Sequence, residues 1–294
     1  MAEILQKDGT WAFDGDALRL TPGRDKSVGL LRATLGELVV PLGALAGVSF
    51  EQGRKSGRLR LRLRDGADPL LHATGGRLGE PHDPYRLSVE PDRYGVAEYF
   101  VEEVRGALLL DQVPSGPVGA YLLPGPAVPL SVSAGDGTAS FDGDQVRLEW
   151  NWKTEEAKSS AGVRTLPVGD ITAVDWQPAA GLENGHLRFT VRGVACEVPP
   201  KYDPYAVELW GFRKDPLMAL VAAAVQARLP HPSTAPANVR PRLPEVPEQR
   251  GAPAVEDDHD ALLRRLRELG ELHRSGVLTD EEFGVAKQAI LRRM

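Results

Sequence analysis

Two periodicities run along this chain. Leu59, Leu61 and Leu63 alternate with Arg58, Arg60, Arg62 and Arg64, a period of two that predicts a strand with one face buried and one in water. The alternation returns at Leu187, Phe189 and Val191. Upstream, Trp11 to Phe13 and Ala17 to Leu20 flank Asp14-Gly15-Asp16, and an Asp-Gly pair between apolar alternations predicts a hairpin. The same arrangement surrounds Asp142-Gly143-Asp144. Downstream the period lengthens: Val96, Phe100, Val101, Val104 and Leu108 fit one stripe of a helix, as do Leu217, Leu220, Val221 and Val225. The pattern predicts about seven short strands closed by one helix, twice over.

The duplication is explicit in the residues. Asp8-Gly-Thr-Trp-Ala-Phe-Asp-Gly-Asp16 recurs as Asp136-Gly-Thr-Ala-Ser-Phe-Asp-Gly-Asp144, an offset of 136 − 8 = 128. Val40-Pro41-Leu42-Gly43 answers to Leu166-Pro167-Val168-Gly169, Val48-Ser49-Phe50 to Val174-Asp175-Trp176, and Asp83-Pro84-Tyr85 to Asp203-Pro204-Tyr205. An antiparallel meander ending in one amphipathic helix within roughly 100 residues suits a small barrel whose open end the helix plugs. On the Phe-Asp-Gly-Asp hairpin and the later Asp-Pro-Tyr, residues 5–110 and 133–229 resemble a bacterial family of unknown function. Its members often carry the domain in tandem, and it is similar in fold to pleckstrin-homology domains. The resemblance implies a mainly β chain of two tandem barrels, each closed by a C-terminal helix.

Pro114, Pro117, Pro124, Pro126 and Pro129 make residues 111–132 an expected extended or loosely packed linker. Residues 230–258 are richer still in proline and read as a disordered tether. Beyond it, within residues 259–294, Leu262, Leu263, Leu266, Leu269 and Leu272 form a helical stripe, with Gly276 placed for a turn. Thr279 and Glu282 form a capping box that starts a second helix carrying Phe283, Ala286 and Ile290 on one face. Leu269, Leu272, His273, Gly276, Leu278 to Phe283 and Lys287 resemble the short C-terminal domain family SHOCT. That resemblance implies an interaction or oligomerisation hairpin. Some 30 residues fall below the roughly 40 at which unassisted folding becomes unusual, so the stripe of Leu266, Leu269, Leu272, Phe283 and Ile290 is expected to find a protein partner or a second copy.

Composition narrows the classes. The 294 residues are 42% hydrophobic, enough for packed cores, and the net charge of −6 argues against nucleic acid as the main partner. The single cysteine, Cys196, forms no internal disulfide and reads as an inert core residue, so a cytoplasmic location is expected. No signal peptide pattern opens the sequence, and the longest apolar run, Leu217 to Val225, is short of the roughly 20 residues that span a bilayer.

Candidate chemistry is sparse. Phosphate-loop, dinucleotide, nucleophile-elbow and zinc-protease motifs are missing, and the six histidines have no ligand spacing. No catalytic residue, metal, cofactor or small-molecule substrate is therefore expected. Asp14, Asp16, Asp142 and Asp144 read as turn formers rather than a calcium loop, and Asp83 and Asp203 as turn starts before proline. His273 reads as a favourable charge at a helix C-terminus. The one candidate binding surface is the face of Arg58, Arg60, Arg62 and Arg64, able to meet acidic protein, anionic lipid or nucleic acid; its plain alternative is a solvated sheet face or an edge strand protected from aggregation. Its counterpart, His186, Arg188, Thr190 and Arg192, carries less charge. The expected function is an intracellular scaffold or adaptor, with peripheral docking on an anionic membrane as the alternative and an enzyme disfavoured.

Overall fold

The computed structural model describes residues 1–194 and 198–233, within one compact unit spanning Met1–Pro236. Cys196, His273 and the whole C-terminal hairpin lie outside the described residues. Alternation gives seven strands per copy, arranged as four antiparallel sheets. In the first copy β1 (Ala2–Gln6), β2 (Gly9–Phe13), β3 (Ala17–Pro22) and β4 (Leu38–Pro41) pair in chain order, and β5 (Leu45–Glu51), β6 (Gly57–Leu63) and β7 (Arg86–Val89) form a second sheet. The second copy repeats this with β8 (Leu130–Ala134), β9 (Gly137–Phe141), β10 (Gln145–Trp150) and β11 (Arg164–Pro167), then β12 (Ile171–Gln177), β13 (Gly185–Val191) and β14 (Ala206–Leu209). Even the irregularities match: the register shifts between Leu45 and Gly47 and between Ile171 and Ala173.

The expected closed barrels are not formed. Side chains stand in for strand pairing where each pair of sheets meets. Asp8, in the β1–β2 turn, accepts the Ser88 N–H of β7 at 3.0 Å, and Gln6 Oε1 accepts the Glu90 N–H at 3.0 Å. In the second copy Asp136 Oδ1 accepts the Glu208 N–H at 2.8 Å. Gly135, at φ 55°, lets that turn approach so closely that a Cβ there would collide with Glu208 O. Each aspartate also meets a buried cation. Arg32, from α1 (Leu30–Leu35), reaches Asp8 at 3.7 Å, and Lys158, from α4 (Glu156–Ser159), reaches Asp136 at 2.5 Å. Two carboxylate–cation pairs thus occupy equivalent seams, Lys158–Asp136 buried on both sides and Arg32–Asp8 with its carboxylate partly exposed.

The closing helices differ in burial. The first copy's α3 (Tyr94–Leu110) buries Ala97, Phe100, Val101 and Val104 and leaves its other face in water. The second copy's α5 (Met218–Gln226) is buried at all nine positions. A helix that is apolar on every side is buried on every side, and here the second cover comes from the first copy. Between β6 and β7 the first copy inserts α2 (Pro69–Thr74), whose Leu70 and Ala73 enter the second copy's core together with Leu31. Asp68 caps α2 by accepting the N–H groups of Leu70 at 2.9 Å and Leu71 at 3.1 Å; Pro69 is placed for a first turn, and Gly75 ends the helix in the left-handed conformation. The second copy's core therefore takes in three buried first-copy side chains, while the first copy keeps a core of its own, so the shared core is the second copy's.

The proline-rich connector packs more closely than its composition predicts. Its prolines lack donors, yet Val118, Leu122 and Leu123 keep theirs and donate to Asp65 O, Ala67 O and Ala67 O. Leu123 is buried in the first copy's core. Tyr121 Oη accepts from Gln226 Nε2 at 2.9 Å and pairs with His72 Nδ1 at 2.5 Å, which ties connector, α2 and α5 together.

Candidate anion-binding surface

Strand β6 places Leu59, Leu61 and Leu63 in the core and Arg58, Arg60 and Arg62 on the outer face. Across the sheet Arg58 faces Glu51 and Ser88, Arg60 faces Ser49 and Arg86, and Arg62 faces Gly47. The four arginines then part company. Arg58 Nη2 lies 3.0 Å from Glu80 Oε1, which also takes Arg86 Nη1 at 2.7 Å, so its charge is largely answered. Arg64, past the strand end, turns to backbone: it donates to Gly43 O at 3.0 Å, Gly116 O at 2.8 Å and Pro117 O at 3.3 Å, clamping the connector. Arg60 and Arg62 have no ion pair or hydrogen bond among the described residues.

These two side chains stand between two concavities. One, of about 330 Å³, is lined by Gly47, Val48, Ser49, Arg60 and Arg62. The other, of about 640 Å³, adds Asp68, His72, Gly75, Gly76, Tyr85 and Pro232. The carboxylate at its base is spent on structure: Asp68, besides capping α2, accepts the Tyr85 hydroxyl at 2.7 Å. Burial raises the Asp68 pKa, and burial beside Asp68 raises Tyr85 well above the ordinary tyrosine value. Burial lowers the His72 pKa, with His231 adding to the effect. Asp65 and Asp83 also line this concavity, Asp83 paired with Arg86 at 2.9 Å, and of the cations around it Arg60 and Arg62 are the two without an ion pair or hydrogen bond among the described residues. Spaced two residues apart, their stems emerge roughly 7 Å from one another, a distance at which two anionic groups on one surface are each met by one guanidinium.

The second copy offers no such pair. His186 Nε2 lies 2.9 Å from Asp175 Oδ2, Arg188 lies 2.9 Å from Asp203, and Arg192 donates to Gly169 O at 3.4 Å. The other aspartates singled out in the sequence serve as turn formers. Asp14 Oδ1 accepts the N–H groups of Asp16 and Ala17, Asp142 Oδ1 those of Asp144 and Gln145, and these bonds lower both pKa values. Asp83 and Asp203 accept the N–H groups of Tyr85 and Tyr205. Among the described residues no group of three or more His, Cys, Asp or Glu could hold a metal, and no helix is long and apolar enough to cross a membrane.

The architecture is that of a tandem β module with two unpaired arginines on the outer face of β6. The sequence profile of a domain of unknown function, DUF4429, matches residues 11–105 and again residues 139–226. These segments make up more than half of the chain, which belongs to that family and carries its domain twice. No curated protein matches the chain.

Proposed function

We propose that the chain is a non-enzymatic cytoplasmic adaptor: the two modules present binding surfaces at fixed spacing, and the tethered C-terminal segment supplies self-association or docking. The observation that carries this reading is the shared core, in which Leu31, Leu70 and Ala73 of the first copy pack among the second copy's residues. A duplicated module held rigid, without a convergent acid, base and nucleophile among its described residues, serves recognition rather than turnover. The succession of four strands, three strands and a closing helix in each copy supports a pleckstrin-homology-like fold. The SHOCT resemblance of the C-terminal segment supports assembly through Leu266, Leu269, Leu272, Phe283 and Ile290. Linking modest sites in this way raises effective concentration. Light scattering after size exclusion, on the full chain and on one ending before Ala261, tests it. The mass is expected to fall to monomer on truncation, and monomers in both samples refute self-association.

A second reading is peripheral docking on an anionic membrane, favoured by the unpaired Arg60 and Arg62 on the outer face of β6. The gain in flotation that phosphatidylserine gives over phosphatidylcholine alone is then expected to depend on salt and to be largely lost in Arg60→Glu/Arg62→Glu. A gain that survives the substitution undiminished refutes it.

A further inference from the structure

The second copy carries a surface that the first lacks. Two of its loops, the one after β10 and the one after β14, bring Trp152, Lys153, Trp210 and Phe212 together. Lys153 Nζ lies 5.4 Å from the Trp152 ring centroid, 5.2 Å from that of Trp210 and 5.7 Å from that of Phe212. Trp152 is 89% exposed and Phe212 58%. Arg213 and Lys214 follow Phe212 in the chain, and Lys201, whose Nζ lies 4.4 Å from the Tyr202 ring centroid, is within electrostatic reach of Glu155 in the first loop.

This exposure is built in. Asp215, itself buried, accepts the N–H groups of Trp210, Gly211 and Phe212 on Oδ2 at 2.8, 2.8 and 3.0 Å. Asn151 accepts the Lys153 N–H at 2.9 Å and donates to Gly135 O at 2.9 Å. Both loops are held by their own polar bonds, so the rings are displayed at the loop tips. The fold does not require them: at equivalent places after β3 and β7 the first copy has Gly23-Arg24 and Glu90-Pro91-Asp92.

We propose that these loop tips anchor the protein to the interfacial zone of a phospholipid bilayer. Trp152 and Phe212 enter the boundary between headgroups and acyl chains, while Lys153, Lys201, Arg213 and Lys214 reach lipid phosphates. Amphipathic aromatic rings settle at that depth, and long cationic side chains extend from it to the headgroups. Glu155, exposed in the first of these loops, and Glu156, exposed at the start of α4, offset part of the positive charge, so the rings carry most of the attraction and anionic lipid adds to it. Exposed aromatic rings accompanied by cations match the chemistry of the bilayer interface, where apolar rings meet acyl chains and cations meet phosphates. This site is separate from Arg60 and Arg62 and does not depend on them.

The test uses the full-length chain with vesicles of phosphatidylcholine alone and of phosphatidylcholine with phosphatidylserine. Co-sedimentation and quenching of tryptophan emission by brominated acyl chains are the readouts. Binding to both vesicle types is expected, stronger with phosphatidylserine. Trp152→Ala/Phe212→Ala should weaken it on the order of tenfold or more and abolish the quenching. Both side chains are exposed, so the variant's circular dichroism melt should match the parent's. On phosphatidylcholine alone, Arg60→Glu/Arg62→Glu should leave binding and bromine quenching within about twofold, because those side chains act on anionic lipid and not on the loop tips; loss of both there overturns the proposal. Absence of binding to either vesicle overturns the proposal. Binding unchanged by Trp152→Ala/Phe212→Ala, or bound protein without bromine quenching, overturns it equally.

Discussion

Replacing Lys158 with methionine will strand a buried carboxylate at the seam of the second copy. Both side chains of the Lys158–Asp136 pair are buried. The ammonium also donates to Pro200 O at 3.0 Å and lies 4.6 Å from the Trp150 ring centroid. Methionine keeps most of the volume and removes the charge. Asp136 still accepts the Glu208 N–H but loses its counter-ion, and breaking a buried pair from one side costs about 3–5 kcal/mol. That is a large share of the roughly 5–15 kcal/mol that holds a domain folded. Burial is the leading cause both of the raised Asp136 pKa and of the lowered Lys158 pKa, each partner opposing it. Desolvation therefore outweighs attraction, and Asp136→Asn in the Lys158→Met background should return about 2 kcal/mol or more. An asparagine Oδ1 can keep the Glu208 amide.

The pH dependence has a definite sign. Without Lys158 the folded-state pKa of Asp136 rises further above its unfolded value of about 3.9. The folded state then binds the proton more tightly than the unfolded state, so the variant's deficit is full above the raised pKa. It shrinks as pH falls through that value and levels off below the unfolded one. Urea unfolding at pH 7 and pH 5, compared with the parent at each pH, measures both effects. A loss under about 1 kcal/mol for Lys158→Met, or a double variant no more stable than the single, refutes the reasoning.

Three further outcomes follow from the hydrogen-bond assignments. Arg64→Ala, which strips donors from three carbonyls, is expected to cost about 1.5–3 kcal/mol in urea unfolding. Arg60→Glu/Arg62→Glu should stay within about 0.5 kcal/mol per site because neither side chain has a partner to lose. Asp215→Ala orphans three amides and should cost about 1–3 kcal/mol, with faster hydrogen exchange at residues 210–212 than in the parent.

The parts of the fold legible in the sequence are those written locally. Strand alternation at 58–64 and the Asp-Gly hairpins depend on neighbours a few residues away, and the structure realises both. What escaped depends on partners far along the chain. Helix α2 announces itself by Asp68-Pro69 and by Gly75-Gly76, yet six residues are too few for a periodic signal. In α5 the stripe of Leu220, Val221 and Val225 was legible, but the decisive sign was the alanines on its other sides, which require a second cover. The seams escaped because Asp8 and Asp136 look like ordinary turn residues; only the fold brings Arg32, Lys158 and the β7 and β14 amides to them. For the arginine face, alternation gave exposure but could not say that Glu80 would engage Arg58 or that the connector would engage Arg64.

The shared core makes the two copies one folding unit, and scanning calorimetry of the parent chain and of Leu70→Asp tests this most directly. A single endotherm is expected for the two modules, with calorimetric and van't Hoff enthalpies equal. Leu70→Asp, a first-copy change that places a charge among second-copy residues, should shift that whole endotherm downward. Two resolved transitions in the parent, or a second-copy transition unmoved by Leu70→Asp, would contradict it.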